Sequence, residues 1–324
     1  MRFRGTKILM SAASLLFAVT TMAADSVIDP SLPNYQRVNG LSGKLVLVGS
    51  DTMSQVAARW ADGFQQYYPN VQIEIQVQGS RNAVASVQTG QASFGLLSRQ
   101  INEQEVRDFH AARGYVPTVL TPALEPLAIF VHKDNPIQSL TLAQIDAAFS
   151  TSLKRGEKKT ARTWGDLGAQ GQWAQVPVIP QVRSSDTGSQ VFFQAAILGN
   201  GQFRPDAQAH GDNLDLVKAV ATNHGGIGFA GSGNATPDVK MVPLSWQTGM
   251  PAVDAQTPGY PLVRPLQIVV NNPPNGDLPP LQSEFLKFIF SSRGQQDVVL
   301  TGFLPVPSKV AQKSLNAVGE AILN

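Results

Sequence analysis

Apolar positions along this chain follow two rhythms in turn. Val56, Trp60, Phe64 and Tyr68 return every fourth residue, which lines them along one face of a helix. Val71, Ile73, Ile75 and Val77 then alternate with polar residues, as in a half-buried strand. The same succession continues. A short apolar strand is predicted over residues 44–49. A helix carrying Val84 and Val87 opens at Gly79-Ser80, a strand covers residues 92–97, and Asn102 caps a helix from Glu103 to Arg113. Further on, strands are predicted over residues 126–131, 176–182, 225–229 and 266–270. Helices are predicted over residues 142–149 (capped by Ser139 or Thr141), after Ser189 (Val191, Phe192, Ala195, Ile197), over 214–222 and over 281–290. Residues 25–42, 151–175 and 231–261 lack periodicity and read as irregular leader or loops. Alternating strands and helices predict an α/β fold with a mainly parallel sheet, and no internal repeat interrupts it.

The first residues follow neither rhythm. Arg2, Arg4 and Lys7 form a basic start, and the 17 residues from Ile8 to Ala24 carry no charge. With small residues closing the run, residues 1–23 read as a secretory signal peptide. The run is short for a membrane-spanning helix. Removing it lowers the basic count from 25 to 22 against 23 acidic residues, so the mature chain is near −1 rather than +2.

That balance removes the case for a nucleic-acid partner. The one basic cluster, residues 154–159, reads as a solvated loop. The absence of cysteine excludes disulfides, a thiolate nucleophile and thiolate metal ligands. His110, His132, His210 and His224 show no metal-binding spacing, so neither a metal nor a cofactor is expected.

Candidate chemistry lies where strands feed helices. Four such turns, Ser50-Asp51-Thr52, Gly79-Ser80, Leu97-Ser98-Arg99 and residues 183–189 ("RSSDTGS"), are rich in hydroxyls and glycine. A helix start exposes backbone N–H groups and a partial positive charge, which favour an anion. Arg183 adds a planar fork that matches a tetrahedral oxyanion. Any one of these turns alone would read as an ordinary N-cap.

The segments "LVLVGSDTM", "QGSRNAVASVQTGQASFGLLSRQI", "EPLAIFVHKDNP", "VRSSDTGS", "DLVKAVATNHGGIGFAG" and "RPLQIVVNNPP" occur in an order that resembles the periplasmic phosphate-binding proteins of phosphate ABC transporters. The resemblance runs from about residue 43 to about residue 308. It implies a two-lobe periplasmic binding protein of type II, each lobe a mixed sheet flanked by helices, with the ligand in the interlobe cleft. Lobe 1 would comprise residues 43–126 and 264–324 and lobe 2 residues 127–263, after the leader at 24–42. Carried over, Thr52, the Met53 amide and Ser80 would bind phosphate from lobe 1, and Arg183, Thr187, Gly188 and Ser189 from lobe 2. The family pattern places a proton-accepting Asp where this chain has Ser98. Asp51 is the first substitute, with Asp186 or Glu125 after it.

The resemblance implies a non-enzymatic, monomeric protein of the periplasm that delivers inorganic phosphate to a membrane permease. Two other functions stay open on the residues: an exported phosphatase, and a secreted phosphate-sensing or interaction protein. Hydrolysis would need an activated nucleophile or a metal, and the sequence offers no histidine beside a candidate serine.

Overall fold

The computed structural model describes residues 28–185, 187–257, 259–274 and 276–320. The signal-peptide expectation for residues 1–23 and the alternative acceptor Asp186 lie outside these residues.

In chain order the elements are β1 (Gly43–Gly49), α1 (Ser54–Tyr67), β2 (Val71–Val77), α2 (Ser80–Thr89), β3 (Phe94–Leu97), α3 (Glu103–Arg113) and β4 (Thr118–His132). There follow β5 (Leu140–Thr141), α4 (Leu142–Phe149), β6 (Ile179–Arg183), α5 (Gly188–Ala196), β7 (Gln208–His210), α6 (Asn213–Thr222), β8 (Gly226–Gly231), β9 (Val239–Met241) and β10 (Leu244–Ser245). The chain closes with β11 (Val263–Val270), α7 (Pro280–Ile289), α8 (Ser292–Leu300), β12 (Leu304–Pro305) and α9 (Ser308–Asn316).

The main sheet runs β2-β1-β3-β11-β4-β8-β6-β7. The first three strands are parallel to one another, and so are β8, β6 and β7. Between them β11 and β4 run antiparallel to their neighbours, so the sheet is mixed rather than mainly parallel. β4 joins the halves. Up to Pro126 it pairs with β11, and from Leu127 onward with β8 and β9. The cores divide at the same place. One apolar cluster draws on residues between Leu127 and Leu262, and the other two on residues up to Ala123 and from Leu266 onward.

Strand β4 is 15 residues long, about two and a half times its predicted apolar run, because Pro122 masks its first half. The pairing with β11 shifts register between Leu266 and Ile268, opposite that proline, so its missing N–H falls at an irregularity where no ladder bond is lost. Helices α8 and α9 were also not predicted. Ser291 caps α8 by accepting from the Gly294 amide, and the Trp60 indole of α1 donates to the Gly294 carbonyl at 2.9 Å. At the end of β2, Val77 is exposed rather than half-buried.

The cap predicted at Asn102 is a full capping box with Glu105. For α4 the structure selects Thr141 over Ser139: its hydroxyl accepts from Gln144 N at 3.1 Å, and Gln144 reaches back to the Thr141 amide at 2.9 Å. Thr141→Ala is expected to lower stability by about 1 kcal/mol, read as a fall in the urea midpoint at unchanged slope.

Candidate anion site

The four turns meet at the seam between the halves. Strand β1 ends at Gly49, and Ser50 N donates to Leu96 O at 2.9 Å, which ties the first turn to β3. A Cβ at Gly49 would run into that carbonyl, and its φ of +149° also favours glycine. Ser50 Oγ donates to Ser98 Oγ at 2.8 Å, and Ser98 N donates to Ser80 Oγ at 3.2 Å. From the other half, α5 brings Gly188 against this serine cluster. A Cβ at Gly188 would overlap Ser98 Oγ and lie 2.9 Å from Ser80 Oγ. The first N–H groups of α5, at Gly188 and Ser189, have no acceptor within the helix.

Arg183 is 1% exposed at the end of β6. Its Nη2 donates to Asp51 Oδ2 at 2.7 Å and to Gly211 O at 2.8 Å, and Nη1 donates to Asn213. Asp51 thus forms an ion pair with Arg183 that bridges the two halves through Oδ2. Met53 buries its side chain in the core, and its amide makes a stretched 3.2 Å bond to Ser50 O. The Thr187 hydroxyl is spent on the α5 cap: it donates to Ser184 O at 2.9 Å and accepts from Gln190 N at 3.3 Å. Arg99 is held by Glu105 through Nη1 and Nη2 at 2.8 and 2.6 Å, and its Nη2 also donates to Ser80 O at 3.4 Å.

Two site residues escaped the sequence reading in their pairing. Glu125 on β4 and Arg264 on β11 are cross-strand partners, both fully buried. Arg264 Nε donates to Glu125 Oε2 at 2.7 Å, and Arg264 Nη2 donates to Ser189 Oγ at 2.8 Å. Burial pushes the Glu125 carboxyl above its usual range, against the pull of Arg264. The available signal was a charge inside each of two apolar strands, "LEPLAIF" and "LVRPLQIVV".

Among the described residues the buried donors Thr52 Oγ1, Arg183 Nε and Arg264 Nη1 have no partner at this seam, and neither does the acceptor Glu125 Oε1. A buried polar group left unpaired costs about 1–3 kcal/mol. Donors gathered near two guanidinium groups and a helix start suit an anion with several oxygens. A cleft of about 370 Å³ lies alongside, lined by Asp51, Thr52, Glu125, Asn213, Asn234 and Phe303 among others.

Elsewhere the fold joins groups that sequence spacing kept apart. His132 and His224 stack with centroids 4.3 Å apart, and their nitrogens lie within 4.8 Å of an Asp134 oxygen.

A family model described as the PBP superfamily domain matches residues 36–293. The chain is 41% identical over 319 residues to the phosphate-binding protein PstS of Pseudomonas aeruginosa, covering 97% of this chain and 99% of that one. Among solved structures, an ABC-type phosphate transport receptor from Vibrio cholerae superposes with a TM-score of 0.65 at 20% identity, over 81% of this chain and 100% of that one. A phosphate-binding protein from Stenotrophomonas maltophilia gives 0.61 at 13% identity, over 85% and 94%. At those identities the superpositions speak for the two-lobe fold. The chain belongs to the phosphate-binding protein family of the PBP superfamily.

Proposed function

We propose that this protein binds one inorganic phosphate between its lobes in the periplasm and delivers it to the permease of an ABC transporter. The observation that carries this reading is the set of unpartnered buried donors at the seam where four helix-start turns converge. The 41% identical relative, named a phosphate-binding protein, supports the choice of phosphate among oxyanions. Thr52, Ser80, Ser98, Arg183 and the amides of Gly188 and Ser189 are the ligand groups. Asp51 holds Arg183. The lobes meet at 126/127 and 263/264, where β4 changes partner and β11 begins.

The role is binding without catalysis, by a monomer. Among the described residues the hydroxyls of Ser50, Ser80, Ser98 and Thr187 bond to one another or to backbone groups rather than to an imidazole, which supports the non-catalytic reading. Turnover of a chromogenic phosphate ester is the measurement that would revive the phosphatase reading.

The mature protein is expected to bind one phosphate with micromolar affinity or better, which requires about −8 kcal/mol. Several charge-assisted hydrogen bonds at about 1.5–3 kcal/mol each supply that after ordering costs. Calorimetry of the phosphate-free protein checks it; no heat at millimolar phosphate sinks the proposal.

A further inference from the structure

Arg264 and Glu125 sit on the two strands that cross between the lobes, and a stability argument does not explain them. Two charges taken fully out of water recover little more than their desolvation cost, and a matched apolar pair would serve the strands as well. The pair is also lopsided. Arg264 Nε donates to Glu125 Oε2 at 2.7 Å and Nη2 lies 2.5 Å from the same oxygen, while among the described residues Glu125 Oε1 and Arg264 Nη1 have no partner. Arg264 Nη2 reaches on to Ser189 Oγ in the first turn of α5, and the guanidinium stands 5.6 Å over the Phe192 ring one turn later. The cation is therefore fixed from three sides, with one N–H edge left uncommitted beside the helix start that meets Ser80 and Ser98.

We infer that Arg264 is a second guanidinium ligand of the bound anion, and that Glu125 sets how much of its charge the anion feels. The inference rests on the phosphate reading and adds a specificity device to it. Arg183 is balanced by Asp51 and Arg264 by Glu125, so the four side chains sum to zero. A site so balanced holds an anion through directed N–H groups and not through excess positive charge. Any oxyanion then gains little from charge alone, and donor geometry decides among them.

Calorimetry with inorganic phosphate and with sulfate, alongside thermal melting, tests this on the wild-type chain, Arg264→Gln, Glu125→Gln and the double variant. Arg264→Gln is expected to weaken phosphate binding at least tenfold. Glu125→Gln leaves the guanidinium uncompensated and is expected to tighten sulfate binding at least threefold. The double variant removes both buried charges, so it should melt nearer to wild type than either single variant yet stay at least tenfold weaker for phosphate. That combination separates a ligand from a structural prop, because a pair that only held the strands would return wild-type affinity once folding recovers. Wild-type phosphate affinity in the double variant, or unchanged or weaker sulfate binding in Glu125→Gln, overturns the inference. A wild-type chain that fails to bind phosphate overturns the phosphate reading itself.

Discussion

Arg183→Ala lowers phosphate affinity by about a hundredfold while the protein stays folded. The guanidinium is buried in the seam and holds Asp51, Gly211 and Asn213 with its two terminal nitrogens, leaving Nε to the ligand. Truncation deletes a charge-assisted bond, about 1.5–3 kcal/mol, and strips Asp51 of its partner. The carboxylate then faces the bound dianion uncompensated, which adds repulsion to the lost attraction. Together these reach about 2.7 kcal/mol, a factor of about 100. Folding is spared because the Asp51 side chain is 30% exposed and regains water when unpaired. Arg183→Lys keeps the charge but not the fork, and should fall between wild type and Arg183→Ala. Calorimetry with inorganic phosphate and a melting curve check all three. An unchanged dissociation constant in a folded Arg183→Ala protein places the anion elsewhere.

The parts of this molecule that were legible in its sequence are those set by local rules. Asn102 and Thr141 announce their helices because each is followed three residues later by a side chain that completes the cap. The four anion turns show themselves by hydroxyls and glycine at strand ends. What stayed hidden depends on residues far apart. Nothing local to Asp51 says that it will meet Arg183 across 132 positions. Glu125 and Arg264 are separated by 139 positions and become partners only because β4 and β11 pair in one register. His132 and His224 likewise meet only in the fold. Pro122 hid half of β4 because its compensation lies in the opposite strand, at the shift between Leu266 and Ile268. The short helices α8 and α9 are set by the core they close over, which no local periodicity reports.

Gly188→Ala separates binding from stability. The glycine stands where α5 approaches the lobe 1 serines. An added methyl would overlap Ser98 Oγ, lie 2.9 Å from Ser80 Oγ and lie 3.2 Å from the Ser98 carbonyl carbon. None of these neighbours yields easily. Ser50 holds Ser98 Oγ at 2.8 Å, and both Ser98 and Ser80 are at most 1% exposed. The helix start must retreat, and its amides retreat with it from the anion that the serines hold. Overpacking of this kind costs about 1–3 kcal/mol, and it falls on the arrangement in which α5 meets these serines. On the two-lobe reading proposed above, separation of the lobes without phosphate relieves the contact, and alanine is the better helix former by up to about 1 kcal/mol. Phosphate affinity is therefore expected to fall about thirtyfold while the melting temperature without phosphate is unchanged or slightly raised. The thermal shift produced by phosphate should shrink in step, since ligand stabilisation follows the ratio of concentration to dissociation constant. Removing the obstructing oxygen supplies the control: Gly188→Ala combined with Ser98→Ala should bind phosphate more tightly than Gly188→Ala alone, despite having one hydroxyl fewer. Equal or weaker binding in the double variant means that the methyl acts on the conformation of α5 and not through contact with Ser98.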